Sequence, residues 1–364
     1  MTTVRRIADP DTPAELARFE AQRLAFAPLV FQAMRVARDC GVFEAMYRAG
    51  ERGVEAEQVA GQIGMSKYAV SLMLEAAFVA GFAAYNEPKF VITKAGVFWL
   101  KEAATRINAD FTHHVCYQGF FRFEESLREG LPVGLSALGP WKTLYEGLTS
   151  FSPEQRDSWL AFDHFYSDEV FDLCLPLVFA KPVRALLDVG ANTGKFTKRC
   201  VLHDEGVHVT MVDLPQQIAL AHENLATLPV AARTRVEARA LDLLVDTTPL
   251  ADPGSVDVVW MSQFLDCFSE EQIVAILQRA AEALEPGGRV FILELLWNRQ
   301  RHESARYCVV ATSLYFACIA NGNSRMYHSE ELRRLIELAG LRVVRENHEI
   351  GLCHSLLECA LAQD

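Results

Sequence analysis

No run of apolar residues in this chain approaches the roughly 20 needed to cross a bilayer as a helix. The opening stretch, MTTVRRIADPDTPAEL, also lacks the apolar core of a secretory signal. Both absences predict a cytoplasmic chain with no membrane partner. Paired cysteines are missing too. The nine cysteines (40, 116, 174, 200, 267, 308, 318, 353, 359) are odd in number, scattered and never spaced as CxxC. That pattern excludes a disulfide framework or thiolate zinc site and predicts reduced intracellular thiols. Basic charge is in short supply: 35 Lys and Arg against 47 Asp and Glu leave a formal net charge of −12. Phosphate-backbone binders carry a basic footprint, so nucleic acid is not an expected partner. Internal repeats and low-complexity tracts are absent as well.

What remains is an ordinary globular balance, 51% hydrophobic and 23% charged over 364 residues, enough for two domains. Residues 12–48 show helical periodicity, interrupted near Pro28 and Gly41. Residues 54–100 read as helix, turn, helix and two short strands, AAY and FVIT, around the turn NEPK, which is the order of a winged helix. A DNA-reading helix must present polar groups to base edges. Here the second helix, from Ser66 to about Gly81, has only Lys67 and Glu75 as charges. Its apolar surface predicts a packing or dimerisation module instead.

Residues 103–180 carry no convincing strand, but several aromatic-rich helical patches, FTHHVCYQGFFRFEESL and SWLAFDHFYSDEVFDLCL. Ser152 and Pro153 form an N-cap and first-turn pair. From about residue 183 strands alternate with helices: RALLDV, VHVTMVD, RVEARALDL, VDVVWMS, RVFILELL, LRVVREN and SLLECALA. That alternation predicts a doubly wound α/β sheet. The last two strands are joined only by HEIGLCH, too short for a parallel crossover, so the final strand is expected to be antiparallel. The expected division is a winged-helix domain at 1–102, a helical linker with pocket helices at 103–180, and a sheet domain at 181–364.

The stretch LLDVGANTGKFTKR, 186–199, has the outline of a ligand loop between strand and helix. It is one residue short of a Walker loop and has Phe196 where Ser or Thr must hold magnesium. A dinucleotide loop fails as well, because Asn192 and Lys195 replace its second and third glycines. A methyl donor fits better, since it offers an ammonium in place of a pyrophosphate. Asp188 stands before the turn, Gly190 and Gly194 allow close backbone approach, and Asn192 tolerates positive φ. Asp213 ends the next strand, where a carboxylate can accept both ribose hydroxyls. Asp242 ends the one after it, placed to accept from an adenine amino group, with Leu243 against the ring. Three acids at three successive strand ends make a cradle for a cationic nucleoside.

With these motifs in place, the chain resembles the class I S-adenosylmethionine-dependent small-molecule O-methyltransferases that carry an N-terminal winged-helix dimerisation domain. That group includes plant caffeate-type and bacterial natural-product enzymes. The resemblance runs through DCGVFEAMYRAGERGVEAEQVAGQIGMS, LLDVGANTGKFT, MVDLPQQI, ALDLL, EALEPGGRVFILE and SEELRRLIELAGLRVV. It implies a Rossmann-like sheet and a homodimer with interleaved N-terminal helices. It implies S-adenosyl-L-methionine as cofactor, S-adenosyl-L-homocysteine as product, and a small, aromatic or polyketide-like acceptor from secondary metabolism. Gly190, Asp213, Leu214, Asp242 and Leu243 would contact the donor. Tyr166 would lie beside its methyl group, with Ser262 and Gln263 on the donor side of the next loop. No metal is expected.

One departure bears on the chemistry. The family's K-W-x-L-H-D-W-S type segment carries a histidine general base, and Asp266 stands in that place. Ser262 and Phe268 occupy the Lys and Trp positions, while Glu294 matches a glutamate that flanks the base. A second flanking glutamate, near residue 326, has no match. Asp266 and Glu294 are therefore the catalytic candidates. His113, His114, His164 and His328 are other proton acceptors, and Phe120, Phe121, Phe162, Phe165, Tyr315 and Phe316 are candidate pocket walls or ordinary core. Methylation at carbon and a redirected fold relative (hydroxylase, decarboxylase or pericyclase) stay open beside O-methylation. A winged-helix DNA-binding regulator is the least favoured.

Overall fold

The computed structural model describes residues 12–167 and 170–363, the side chains of 166 and 167 apart. Two compact units meet between Asp110 and Phe111.

The first unit opens with helices Ala14–Ala25, Ala27–Asp39 and Val42–Ala49. Pro28 sits in the first turn of the second of them, where its missing N–H has no helical partner to lose. Gly41, at φ 93°, turns the chain between the second and third. Helices Ala56–Ile63 and Lys67–Val79 and strands β1 (Ala83–Asn86) and β2 (Lys89–Ile92) complete the winged helix. Met34, Phe43, Met46, Val70, Leu74 and Trp99 fill its core. The Trp99 indole donates to the carbonyl of Met34 at 3.1 Å. Within this unit, helix Ala14–Ala25 buries no residue, and Leu24, Leu29, Tyr68, Leu72 and Val79 remain exposed.

The second unit holds the aromatic-rich helices and the sheet. Its strands are β3 (Ala185–Val189), β4 (His208–Asp213), β5 (Val236–Ala240), β6 (Val256–Ser262), β7 (Leu284–Glu294), β8 (Leu341–Ile350) and β9 (His354–Leu361). They lie in the order β5-β4-β3-β6-β7-β9-β8. β9 runs antiparallel to both β7 and β8, and the other pairings are parallel. The strands nearest the centre are buried on both faces, as their unbroken apolar runs require. Leu186, Phe196 and Trp260 belong to the core on one face, and Leu187, Val259 and Ile292 to the core on the other. Strand order reverses between β3 and β6, and ligands bind at the carboxyl ends of strands at such a switch point. Among the described residues, no helix is long and apolar enough to cross a membrane.

Candidate active site

β3 leaves the sheet through three left-handed residues: Gly190 (φ 76°), Asn192 (φ 50°) and Gly194 (φ 72°). The turn is fastened to the neighbouring strand. The N–H of Gly190 donates to the carbonyl of Val212 at 2.9 Å. The N–H of Asn192 donates to Asp213 Oδ2 and the N–H of Leu214 to Asp213 Oδ1, both at 2.7 Å. Burial raises the Asp213 carboxyl to about 6, against the pull of those two bonds. At the next strand end, Leu241 N–H donates to the carbonyl of Asp213 at 2.9 Å. Asp242 follows in a tight turn, its Oδ1 accepting from Leu244 N–H at 3.0 Å, and half-buried Leu243 packs toward the core. Asp213 and Asp242 thus share one rim.

Asp188 is not part of that rim. It is 2% exposed and accepts from the Thr197 hydroxyl at 2.6 Å, which locks β3 to helix Lys195–His203. Burial, reinforced by the nearby charge of Asp213, raises its carboxyl to about 7.

The second loop leaves β6 at Ser262. Gln263 takes a left-handed φ of 46°, a strained choice for a residue with a long side chain. Nothing in the sequence marks it. Helix Glu270–Ala283 begins behind a capping box of Ser269 and Gln272, as its spacing predicts. Between them Glu294, at the end of β7, holds the loop: its Oε1 accepts from the N–H groups of Phe264 (3.0 Å) and Leu265 (2.8 Å). Two buried oxygens here, Glu294 Oε2 and Ser262 Oγ, have no hydrogen-bond partner among the described residues.

Gly190 joins the two loops sterically. A Cβ at that position would stand 2.3 Å from Phe264 Cδ2, on a backbone that already disfavours L side chains. Gly190→Ala is expected to cost about 1–3 kcal/mol from overpacking and backbone strain together. Calorimetry should show a fall in Tm of several degrees.

Asp266 lies at the base of this region, 4% exposed. Burial, with the charge of Asp163 added, raises its carboxyl to about 7, while the Cys267 thiol, donating to Oδ1 at 3.4 Å, pulls the other way. Glu294 is pushed well above the usual carboxylate range by burial first and by Asp266 second. Asp163 was not among the expected site residues. Its Oδ2 accepts from the Asn192 side-chain amide at 3.0 Å, and its charge reaches Asp213 and Asp266. The available signal was an acid inside the aromatic patch FDHFYSD. The Tyr166 side chain lies outside the described residues.

Of the candidate wall residues, Phe162 stacks on Phe111 with centroids 4.0 Å apart, and Phe111 meets the edge of Tyr315 at 4.9 Å. Trp159 donates to the Tyr315 hydroxyl at 3.1 Å, and buried Phe316 packs beside Tyr315. Phe111 and Trp159 escaped the sequence reading, because a ring at helical spacing looks like any core residue. Phe121 corrects it in the other direction: at 87% exposed it is not core. Phe120 stacks on Phe123.

The histidines disperse. His113 and His114 line a cleft of about 360 Å³ with Tyr117, Ser152 and Glu154, and neither Asp213 nor Asp266 lines it. His328 caps helix Ser329–Leu338, its Nδ1 accepting from Glu330 N–H at 3.2 Å, so its ring is occupied structurally. His164 Nδ1 lies 3.7 Å from Asp163. Met326 stands where the second glutamate is missing. The loop is braced there by other means: Asn321 donates to the carbonyl of Cys267 and Tyr327 to that of Phe268, each at 2.6 Å.

Comparison with known proteins finds matches to both units of the chain. A family model described as an O-methyltransferase domain matches residues 167–342, and one described as a Dimerisation2-like domain matches residues 18–90. Residues 167–342 thus carry an O-methyltransferase domain behind a dimerisation-type N-terminal domain. An L-tyrosine C(3)-methyltransferase of Streptomyces lavendulae is 23% identical over 90% of this chain and 88% of that protein. A 3-hydroxy-5-methyl-1-naphthoate 3-O-methyltransferase of Streptomyces sahachiroi is 26% identical over 73% of each chain. The fold matches that of the S-adenosylmethionine-dependent methyltransferase SibL in its apo form, with a TM-score of 0.70 and 21% identity over 94% of this chain and 98% of that one.

The protein is therefore an S-adenosylmethionine-dependent methyltransferase. The residues present fit that cofactor. Gly190 and Gly194 keep side chains off the left-handed turn, acids stand on the rim, and the orphaned Ser262 hydroxyl is an unused polar group beside it. Among the described residues, no group of three His, Cys, Asp or Glu is placed to hold a metal ion.

Proposed function

We propose that this methyltransferase acts on a hydroxyl of a small, flat aromatic acceptor, with Asp266 as proton acceptor. The observation that carries this reading is the position of Asp266. Its buried carboxyl is joined through Cys267 to Tyr145, and Cys267 packs with the cluster that contains Phe111, Trp159, Phe162 and Tyr315. A hydroxyl held against those rings would have the Asp266 carboxylate as its proton acceptor. Asp213 would hold the ribose through the acceptor capacity left by its two backbone bonds, and Asp242 and Leu243 the adenine. Gly190, Asn192, Gly194 and Leu214 would shape the backbone cradle. Ser262 and Gln263 would face the donor's other end, and Asp188 would support the loop from below. Bound there, S-adenosylmethionine supplies an electrophilic methyl carbon on a cationic sulfur and leaves as S-adenosylhomocysteine. Glu294 fixes the loop that carries Asp266, because it holds two of that loop's N–H groups.

The same arrangement supports transfer to ring carbon. A phenol that loses its proton to Asp266 is activated at the oxygen and at the carbon beside it. The tyrosine C(3)-methyltransferase among the relatives favours keeping this second reading.

The first unit would pair with a second copy of itself. A helix that buries nothing in its own unit, together with exposed Leu24, Leu29, Leu72 and Val79, is what a homodimer of this kind would cover. The protein would work in the cytoplasm, with no nucleic acid involved.

Incubation with methyl-labelled donor and a panel of 1-naphthol, hydroxynaphthoic acids and catechol tests the reading. Label is expected in a naphthol ether, and NMR of the product separates oxygen from carbon methylation. Donor binding without label transfer to any acceptor would favour a redirected relative.

A further inference from the structure

The hydrogen bonds around Asp266 continue beyond its carboxyl. Cys267 Sγ lies 3.4 Å from Asp266 Oδ1, and the Tyr145 hydroxyl lies 3.0 Å from the same sulfur. A thiol has one hydrogen and an accepting sulfur, so it donates to a carboxylate while accepting from a phenol. The backbone leaves Cys267 little freedom: its N–H donates to the carbonyl of Phe264 at 3.1 Å, and its own carbonyl accepts from Asn321 at 2.6 Å. Tyr145, from helix Leu144–Gly147, packs in the aromatic core that Cys267 also touches.

We propose that Cys267 is the positioning residue of Asp266: its thiol, held by Tyr145, aims the carboxyl and donates to its charged form. This rests on the reading of Asp266 as proton acceptor. Nothing else nearby does the same work. Glu294, from β7, and Asp163, from helix Pro153–Ser167, bring further acid, while Tyr145, Tyr315 and Tyr327 bring neutral phenols. Among the described residues, the thiol is the one side chain that donates to Asp266. A bond to the charged form lowers a carboxyl's pKa, so removing it must raise the titration of Asp266. This also accounts for a cysteine in so crowded a place. An alanine there would leave both the phenol and the carboxyl without this partner.

Infrared difference spectroscopy on the full-length protein reads both ends of this chain without an acceptor. The Asp266 carboxyl band is identified by its loss in Asp266→Asn, and the thiol stretch by its loss in Cys267→Ala. In Cys267→Ala the Asp266 midpoint is expected to rise by roughly half to one pH unit, the size fitting for a weak donor. Cys267→Ser, which keeps a donor, should bring it back. Tyr145→Phe should shift the thiol stretch while leaving the fold intact by circular dichroism. An unmoved midpoint in Cys267→Ala, or an unmoved thiol stretch in Tyr145→Phe, would overturn the proposal. The underlying reading fails on a different result: wild-type turnover of 1-naphthol by Asp266→Asn, whatever the infrared midpoints show.

Discussion

Asp213→Ala is expected to weaken S-adenosylmethionine and S-adenosylhomocysteine binding by a hundredfold or more, measured by titration calorimetry. Two separate losses add. Each hydroxyl bond to a charged carboxylate contributes about 1.5–3 kcal/mol, so two ribose contacts account for a factor of roughly 10² to 10⁴. The same carboxylate accepts the N–H groups of Asn192 and Leu214, and alanine leaves both without that acceptor. The left-handed turn at Asn192 then loses the bond that fixes it, and Gly190 loses its register with Phe264. The pH dependence has a definite sign. Burial places the Asp213 carboxyl at about 6, and only its charged form offers full acceptor capacity. Affinity should be highest above that value and fall as pH drops through it. Asp213→Asn should keep part of the loop geometry and lose that pH dependence. Unchanged affinity in the alanine variant would remove the donor-site assignment for the whole rim.

How much of this was legible in the sequence depends on the kind of signal. The sheet, its antiparallel final strand and the winged helix were readable because apolar period, connection length and turn residues are local quantities. Asn192 was readable for the same reason, since few residues other than glycine accept positive φ, and the structure gives it 50°. Asp163 and Tyr145 were not readable. Each approaches the site across more than a hundred residues in one pairing or another, as Tyr145 does with Cys267, and neither stands in a spaced motif. The strain at Gln263 was hidden because its cause lies in Glu294 and Leu293, which grip the loop from the neighbouring strand. Asp188 shows the opposite limit. Its place in the sequence suggests an open acid beside the ligand, yet strand alternation turns it inward to Thr197.

Asp266→Asn carries the largest expected effect on turnover. A general base contributes about 10² to 10⁴ in rate, so kcat at pH 8 should fall within that range with KM for the donor little changed. Asparagine keeps the size and one oxygen of the side chain, so Cys267 still has a partner and lost packing does not explain the loss. The acid limb of the profile is the sharper measurement. Burial and Asp163 set the Asp266 carboxyl at about 7, and the base must be charged to accept a proton. Wild-type kcat should therefore rise with pH through about 7 and level above it, and the variant should lack that limb. Glu294 cannot replace it. Its carboxyl is held well above the usual range by burial, and its Oε1 is already engaged with two N–H groups. If the variant instead keeps kcat within a few-fold at every pH, orientation alone drives transfer. Holding two reactants in line supplies about 7–11 kcal/mol, enough for an acidic phenol without a base. The acceptor's own pKa then separates the cases. With Asp266 as base, acceptors of high and low phenol pKa should lose rate unequally in Asp266→Asn, the weak acids most.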